Sequence, residues 1–174
     1  MEFAHGREAL ANFYDEHAGN VRQYCAMICP APFVDEATFV AFRDFLARLA
    51  QAGPEPDVED LLWKATRGAA AGRAEVRAHV DSSSGGFPQT QTRTEPGATC
   101  LAMPELLAAY VSRELPRNGE LDEHLLECAV CRSTAMRFRD AETAFTTEPR
   151  ERPPDEIRRA WLEIATSARA ATSR

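Results

Sequence analysis

Apolar residues recur along this chain at helical spacing, and each run ends at proline or glycine. The first run covers residues 3–29 and sets Leu10, Phe13, Tyr14, Val21, Tyr24, Cys25 and Ile28 on one face, until Pro30 and Pro32 stop it. The second extends from about Val34 to Gln51 with Phe39, Phe42, Phe45, Leu46 and Leu49, and Gly53, Pro54 and Pro56 break it. A third starts after Asp57, a good N-cap, and passes through Leu61, Leu62, Trp63 and Ala65 into an alanine-rich stretch ending near Val80. Gly68 and Gly72 weaken its later turns. Three helices over residues 1–80 predict a small bundle.

The pattern then lapses. Residues 81–99 read DSSSGGFPQTQTRTEPGAT, polar and rich in Gly, Ser, Thr and Pro, which predicts a flexible linker over residues 81–98. Helical spacing resumes with Pro104 in a first turn and with Leu106, Leu107, Tyr110, Val111 and Leu115. A turn at Pro116 and Asn118-Gly119 leads to a helix with Leu121, His124, Leu125 and Cys128. Another helix runs from about Arg132 to Thr146 with Met136, Phe138 and Phe145. Pro149, Pro153 and Pro154 form a hinge, and a last amphipathic helix covers Asp155 to about Ala170. The expected fold is all-α: a three-helix domain (1–80), a linker (81–98), a small helical domain (99–147), and a hinge with its terminal helix (148–174). An amphipathic helix with one Trp typically docks in a groove. Ile157, Trp161 and Ile164 are the candidate docking residues, and the groove belongs either to this chain or to a partner.

The small domain carries the candidate chemistry. His124, Cys128 and Cys131 fall at i, i+4 and i+7, a spacing that puts them on one stripe of a helix. Cys100 lies upstream, behind a helix-length segment that can return it to the same point. Three sulfurs and one imidazole form a tetrahedral Zn2+ set with no position open to water, and a domain this small gains from a metal staple. A disulfide and plain buried thiols are the alternatives. Sulfurs sharing one zinc sit roughly 3.8 Å apart. Loss of metal would therefore leave Cys100 near Cys128 and Cys131, poised for oxidation, so the site is either a redox sensor or purely structural. In the first helix, Cys25 and Cys29 form a C-x3-C pair, read as core packing or as a second redox pair.

Charge and motifs narrow the function. With 20 Lys and Arg against 27 Asp and Glu, the net charge is −7, which disfavours direct nucleic-acid binding. No run reaches 18 apolar residues, so no transmembrane helix is expected. The N-terminus lacks the basic start and apolar run of a signal peptide, and a reducing cytoplasm suits thiols held for metal. No HExxH, deaminase signature, Gly-rich phosphate loop or nucleophile elbow is present, so no enzyme activity is expected.

The stretch CLAMPELLAAYVSRELPRNGELDEHLLECAVCRSTAMRFRDAETAF resembles the zinc-binding anti-sigma factors of bacteria. The shared pattern is Cys, a Leu-Leu-x-x-Tyr helix, H-x3-C-x2-C-Arg and a following helix, over residues 99–146. The resemblance implies Cys100, His124, Cys128 and Cys131 as zinc ligands and an extracytoplasmic-function sigma factor as partner. Residues 10–75, through FYDEHAGNVRQYCAMIC, VDEATFVAFRDFLARLA and VEDLLWKATRGAAAGR, resemble the helix order of region 2 of those sigma factors. No region 4 follows. The expected function is sequestration of a sigma factor in the cytoplasm. The alternatives are a degenerate sigma-like factor with a fused zinc domain, in which the front domain either occupies the zinc module in cis or competes with a sigma factor for a partner, and a zinc-stabilised structural adaptor.

Overall fold

A computed structural model describes residues 7–84, 103–116, 119–146 and 151–172. Its elements are α1 (Arg7–Ile28), a single 3₁₀ turn (Ala31–Phe33), α2 (Val34–Gln51), α3 (Val58–Ser84), α4 (Pro104–Val111), α5 (Gly119–Glu127), α6 (Ala129–Phe145) and α7 (Asp155–Thr172). The fold is all-α, with no strand among the described residues.

The sequence punctuation explains most boundaries. Asp57 caps α3, its Oδ1 accepting the Asp60 amide at 3.0 Å. Pro104 sits in the first turn of α4, where its missing N–H costs nothing. Three boundaries differ from the sequence expectation. Helix α3 continues to Ser84, past the expected start of the linker at residue 81. The remainder of that expected linker lies outside the described residues. Leu115, expected on the first helix of the small domain, falls beyond α4, because Arg113 takes a left-handed φ of 60°. The Glu114 amide then closes back on the Ala109 carbonyl at 3.0 Å, a Schellman-like stop formed without glycine. The last helix of the small domain starts at Ala129, three residues earlier than expected.

Helix α1 is buried on several sides and is the hub of the molecule. Leu10, Phe13, Tyr14, Val21, Tyr24, Cys25 and Ile28 are all buried, and α2, α3, α6 and α7 pack around it. Helices α2 and α3 pack most extensively. Ala37 and Ala41 of α2 and Ala65, Ala69, Ala70, Ala71 and Ala74 of α3 are all buried, and such small residues let packed helices approach closely. The buried hydroxyls of Thr38 and Thr66 donate to Val34 O and Leu62 O, each at 2.8 Å, so neither polar group is left unpaired there.

The small domain packs onto this bundle. Helix α6 lies on α1 and α3, α4 on α3 and α6, and α5 chiefly on α6. Helix α7 fills the groove between α1 and α2. Its Trp161 is fully buried, with ring centroids 5.4 Å from Tyr14 and 5.5 Å from Phe42, and its Nε1 donates to Phe42 O at 3.1 Å. Of the two occupants left open for Trp161, the groove of this chain takes it. Ile157 packs at the edge of the same core and Ile164 is 36% exposed. At the rim, Arg158 grips Asp15 through two 2.7 Å bonds and holds its carboxyl below the usual carboxylate range. That pair is partly exposed, so its contribution is small beside the indole's.

Truncating the indole leaves a large cavity. Trp161→Ala is expected to lower unfolding free energy by about 3–5 kcal/mol in urea melts. A loss below about 1 kcal/mol would show that α7 is not seated by Trp161.

Candidate metal centre

Helix α5 is short, and three devices hold it. Glu120 and Asp122 lie in its first turn, where acids favour the positive end of the helix dipole. The Tyr110 hydroxyl donates to Asp122 Oδ1, tying α5 to α4. At the other end, Arg132 Nη1 donates to Leu125 O at 3.0 Å and Leu126 O at 2.8 Å, capping carbonyls that α5 leaves unpaired.

Helix α5 ends at Glu127 and α6 begins at Ala129, so Cys128 alone forms the corner. Its backbone leaves the helical region, with φ −95° and ψ 104°. Its N–H still bonds His124 O at 2.8 Å, and its carbonyl accepts the Arg132 amide at 3.0 Å. One residue thus closes one helix and opens the next.

The corner corrects the single-stripe expectation. On one straight helix, residues seven apart stand about 10 Å apart along the axis, too far for easy sharing of one ion. The break at Cys128 folds that distance away. The ligand atoms of His124, Cys128 and Cys131 lie within 4.8 Å of one another. Cys131 is buried, while His124 and Cys128 are half-buried. Two soft sulfurs and an imidazole at this spacing could hold a metal ion. Cys100, the expected fourth ligand, lies outside the described residues. Glu123 and Glu127 are exposed, as a solvated helix face requires.

Cys25 and Cys29 are both fully buried in the bundle. Contact with the Cys29 side chain and burial push the Cys25 thiol well above its ordinary range. A thiol so placed behaves as a small apolar core residue.

Sequence reasoning gave no role to the polar groups where α6 meets α1 and α3. Asn20 Nδ2 donates to Phe145 O at 2.8 Å. Trp63 packs 4.3 Å from Phe145 and 5.3 Å from Tyr24, ring centre to ring centre. Arg67, only 5% exposed, lies 5.2 Å from the Trp63 ring centre and donates Nη2 to Glu114 Oε1 at 2.6 Å. Burial pushes the Glu142 carboxyl up, with Arg67 pulling against it. No local signal set Arg67 apart, since Lys64 and Arg73 lie within two turns of it on the same helix.

Metal loading is expected at about one zinc per chain, and His124→Ala or Cys128→Ser should bring it well below that. The loss should be local. Because α6 is held by α1 and α3, amide exchange should rise sharply across residues 119–127 and little across 138–145. Uniform deprotection of both segments would contradict this packing. Thiol titration after chelation should show rapid reaction of Cys128 and Cys131, with Cys25 and Cys29 reacting only on unfolding. Equal rates for all four would show that the bundle core is open.

No protein-family model, no curated protein and no solved structure matches this chain, so its site is read from its own geometry.

Proposed function

We propose that this chain is a zinc-dependent transcriptional regulator of the anti-sigma type, which acts in the cytoplasm by holding an extracytoplasmic-function sigma factor through protein–protein contact. The observation that carries the reading is the convergence of His124, Cys128 and Cys131 at the corner between two helices. These residues, with Cys100 as fourth ligand, would hold the zinc. The metal would fix the angle between α5 and α6 and keep the sulfurs as thiolates. A closed set of three thiolates and one imidazole leaves no position for a substrate, which favours a scaffold over a catalyst. The H-x3-C-x2-C-Arg spacing supports the assignment, and the Arg132 cap supplies a physical reason for its final arginine. No helix among the described residues is long and apolar enough to cross a membrane.

A second reading is favoured by the seat of α6 on α1 and α3. Here residues 10–75 are a degenerate sigma-like region and the zinc module is its fused regulator, bound in cis. That protein would contact core RNA polymerase or promoter DNA.

Affinity capture from native lysate separates the two. The zinc-loaded chain is expected to retain an extracytoplasmic-function sigma factor, identified by mass spectrometry, and His124→Ala to lose it. Recovery of core polymerase or promoter DNA without a sigma factor would favour the second reading. Recovery of neither, from a lysate that contains such sigma factors, would contradict both.

A further inference from the structure

The interfaces of α1 differ in polarity. Among the described residues, seven buried side-chain N and O atoms have no hydrogen-bond partner, and five of them are Asn20 Oδ1, Tyr24 Oη, Arg67 Nε, Arg67 Nη1 and Glu142 Oε1. These five belong to the seam where α6 meets α1 and α3, as the contacts of Asn20 and Tyr24 with Phe145 and the electrostatic contact of Arg67 with Glu142 show. The α2–α3 interface, by contrast, pairs both of its buried threonine hydroxyls. Unpaired buried polar groups weaken the closed state relative to an open one in which water reaches them. The apolar part of the seam is formed by Tyr24, Phe138 and Ala141, all buried, with Trp63 and Phe145 partly so. A seam with this balance is suited to opening as a unit while α2 and α3 stay together.

We infer that the face of α6 formed by Phe138, Ala141, Glu142 and Phe145 is an exchangeable docking surface. The α1–α3 bundle occupies it in the closed chain, and a helical protein partner that sets an arginine against Glu114 and Glu142 takes its place. The chemistry of the partner is read from the cis occupant: an aromatic surface, Tyr24 and Trp63, with the guanidinium of Arg67 between it and two carboxylates of the zinc module. A cation that satisfies both carboxylates better than Arg67 favours exchange. The identity of that partner as a sigma factor rests on the function proposed above; the opening of the seam does not.

Trp63 reports the seam directly. The chain has two tryptophans, so Trp161→Phe leaves Trp63 as the only indole. In the zinc-loaded full chain carrying this change, acrylamide quenching of Trp63 and far-UV circular dichroism are followed through a urea series. Trp63 is expected to become accessible well before helix is lost. Replacing these incompletely hydrogen-bonded charges by apolar side chains of similar volume, Arg67→Met with Glu142→Leu, is expected to reduce the Trp63-exposed population at low urea at least ten-fold. Coincident Trp63 exposure and helix loss in the unlocked chain would overturn the inference, and so would an unchanged population in the double variant. Should the double variant not fold, Glu142→Leu alone, which keeps the bond from Arg67 to Glu114, is read against the same criterion. In lysate capture, the locked chain is expected to retain less than a tenth of the sigma factor held by the unlocked chain. Undiminished capture would place the partner elsewhere and overturn the exchange. Absence of sigma factor from both captures would count against the proposed function alone, because the Trp63 readout involves no partner.

Discussion

One break in the backbone, at Cys128, sets where the ligand-bearing side chains point. Without it, α5 and α6 would be one rod, and His124 and Cys131 would lie nearly two turns apart. With it, three donor atoms meet, and α5 turns away from the direction in which α6 crosses the bundle. The corner is tied locally by the Arg132 bonds to Leu125 O and Leu126 O and by the Tyr110–Asp122 bond. Leu126, on the last turn of α5, is 78% exposed. A metal ion held by His124, Cys128 and Cys131 would brace such a corner further.

Helix α6 links the corner to the rest of the molecule. Its first turn supplies Cys131, and its later turns supply Phe138, Ala141, Glu142 and Phe145 to the seam with α1 and α3. Any force that reorients the corner therefore acts on a rigid helix whose far end lies against Trp63 and Tyr24. Helix α7, seated by Trp161 against Tyr14 and Phe42, packs on α1 and α2. Metal site and bundle are physically connected through one element, which is the arrangement that coupling between them requires.

Most of the helices could be read from the chain because their punctuation is local. Pro30, Pro32, Pro54 and Pro56 stop or separate helices, and Asp57 starts one, through chemistry confined to a few residues. The group that could hold a metal, His124, Cys128 and Cys131, was legible for the same reason, since residue type and spacing bring it out. What did not show in the pattern depends on distant partners. The corner at Cys128 breaks no local rule, as alanine and valine follow it and no proline or glycine marks it. The end of α4 at Val111 turns on Arg113 adopting a backbone conformation usually left to glycine. The roles of Arg67 and Glu142 arise only when α3 and α6, far apart in sequence, are packed together. The burial of Trp161 was open at the sequence level because an amphipathic face shows that a helix docks, and not on what.

The central claim is that the corner at Cys128 exists to hold a zinc ion with His124, Cys131 and one more cysteine. X-ray absorption at the zinc edge, on protein purified without added metal or reductant, tests it most directly. The account predicts three sulfur neighbours at about 2.3 Å and one nitrogen at about 2.0 Å. A shell of oxygen and nitrogen only, or protein free of zinc that keeps α5 and the corner intact, would contradict it.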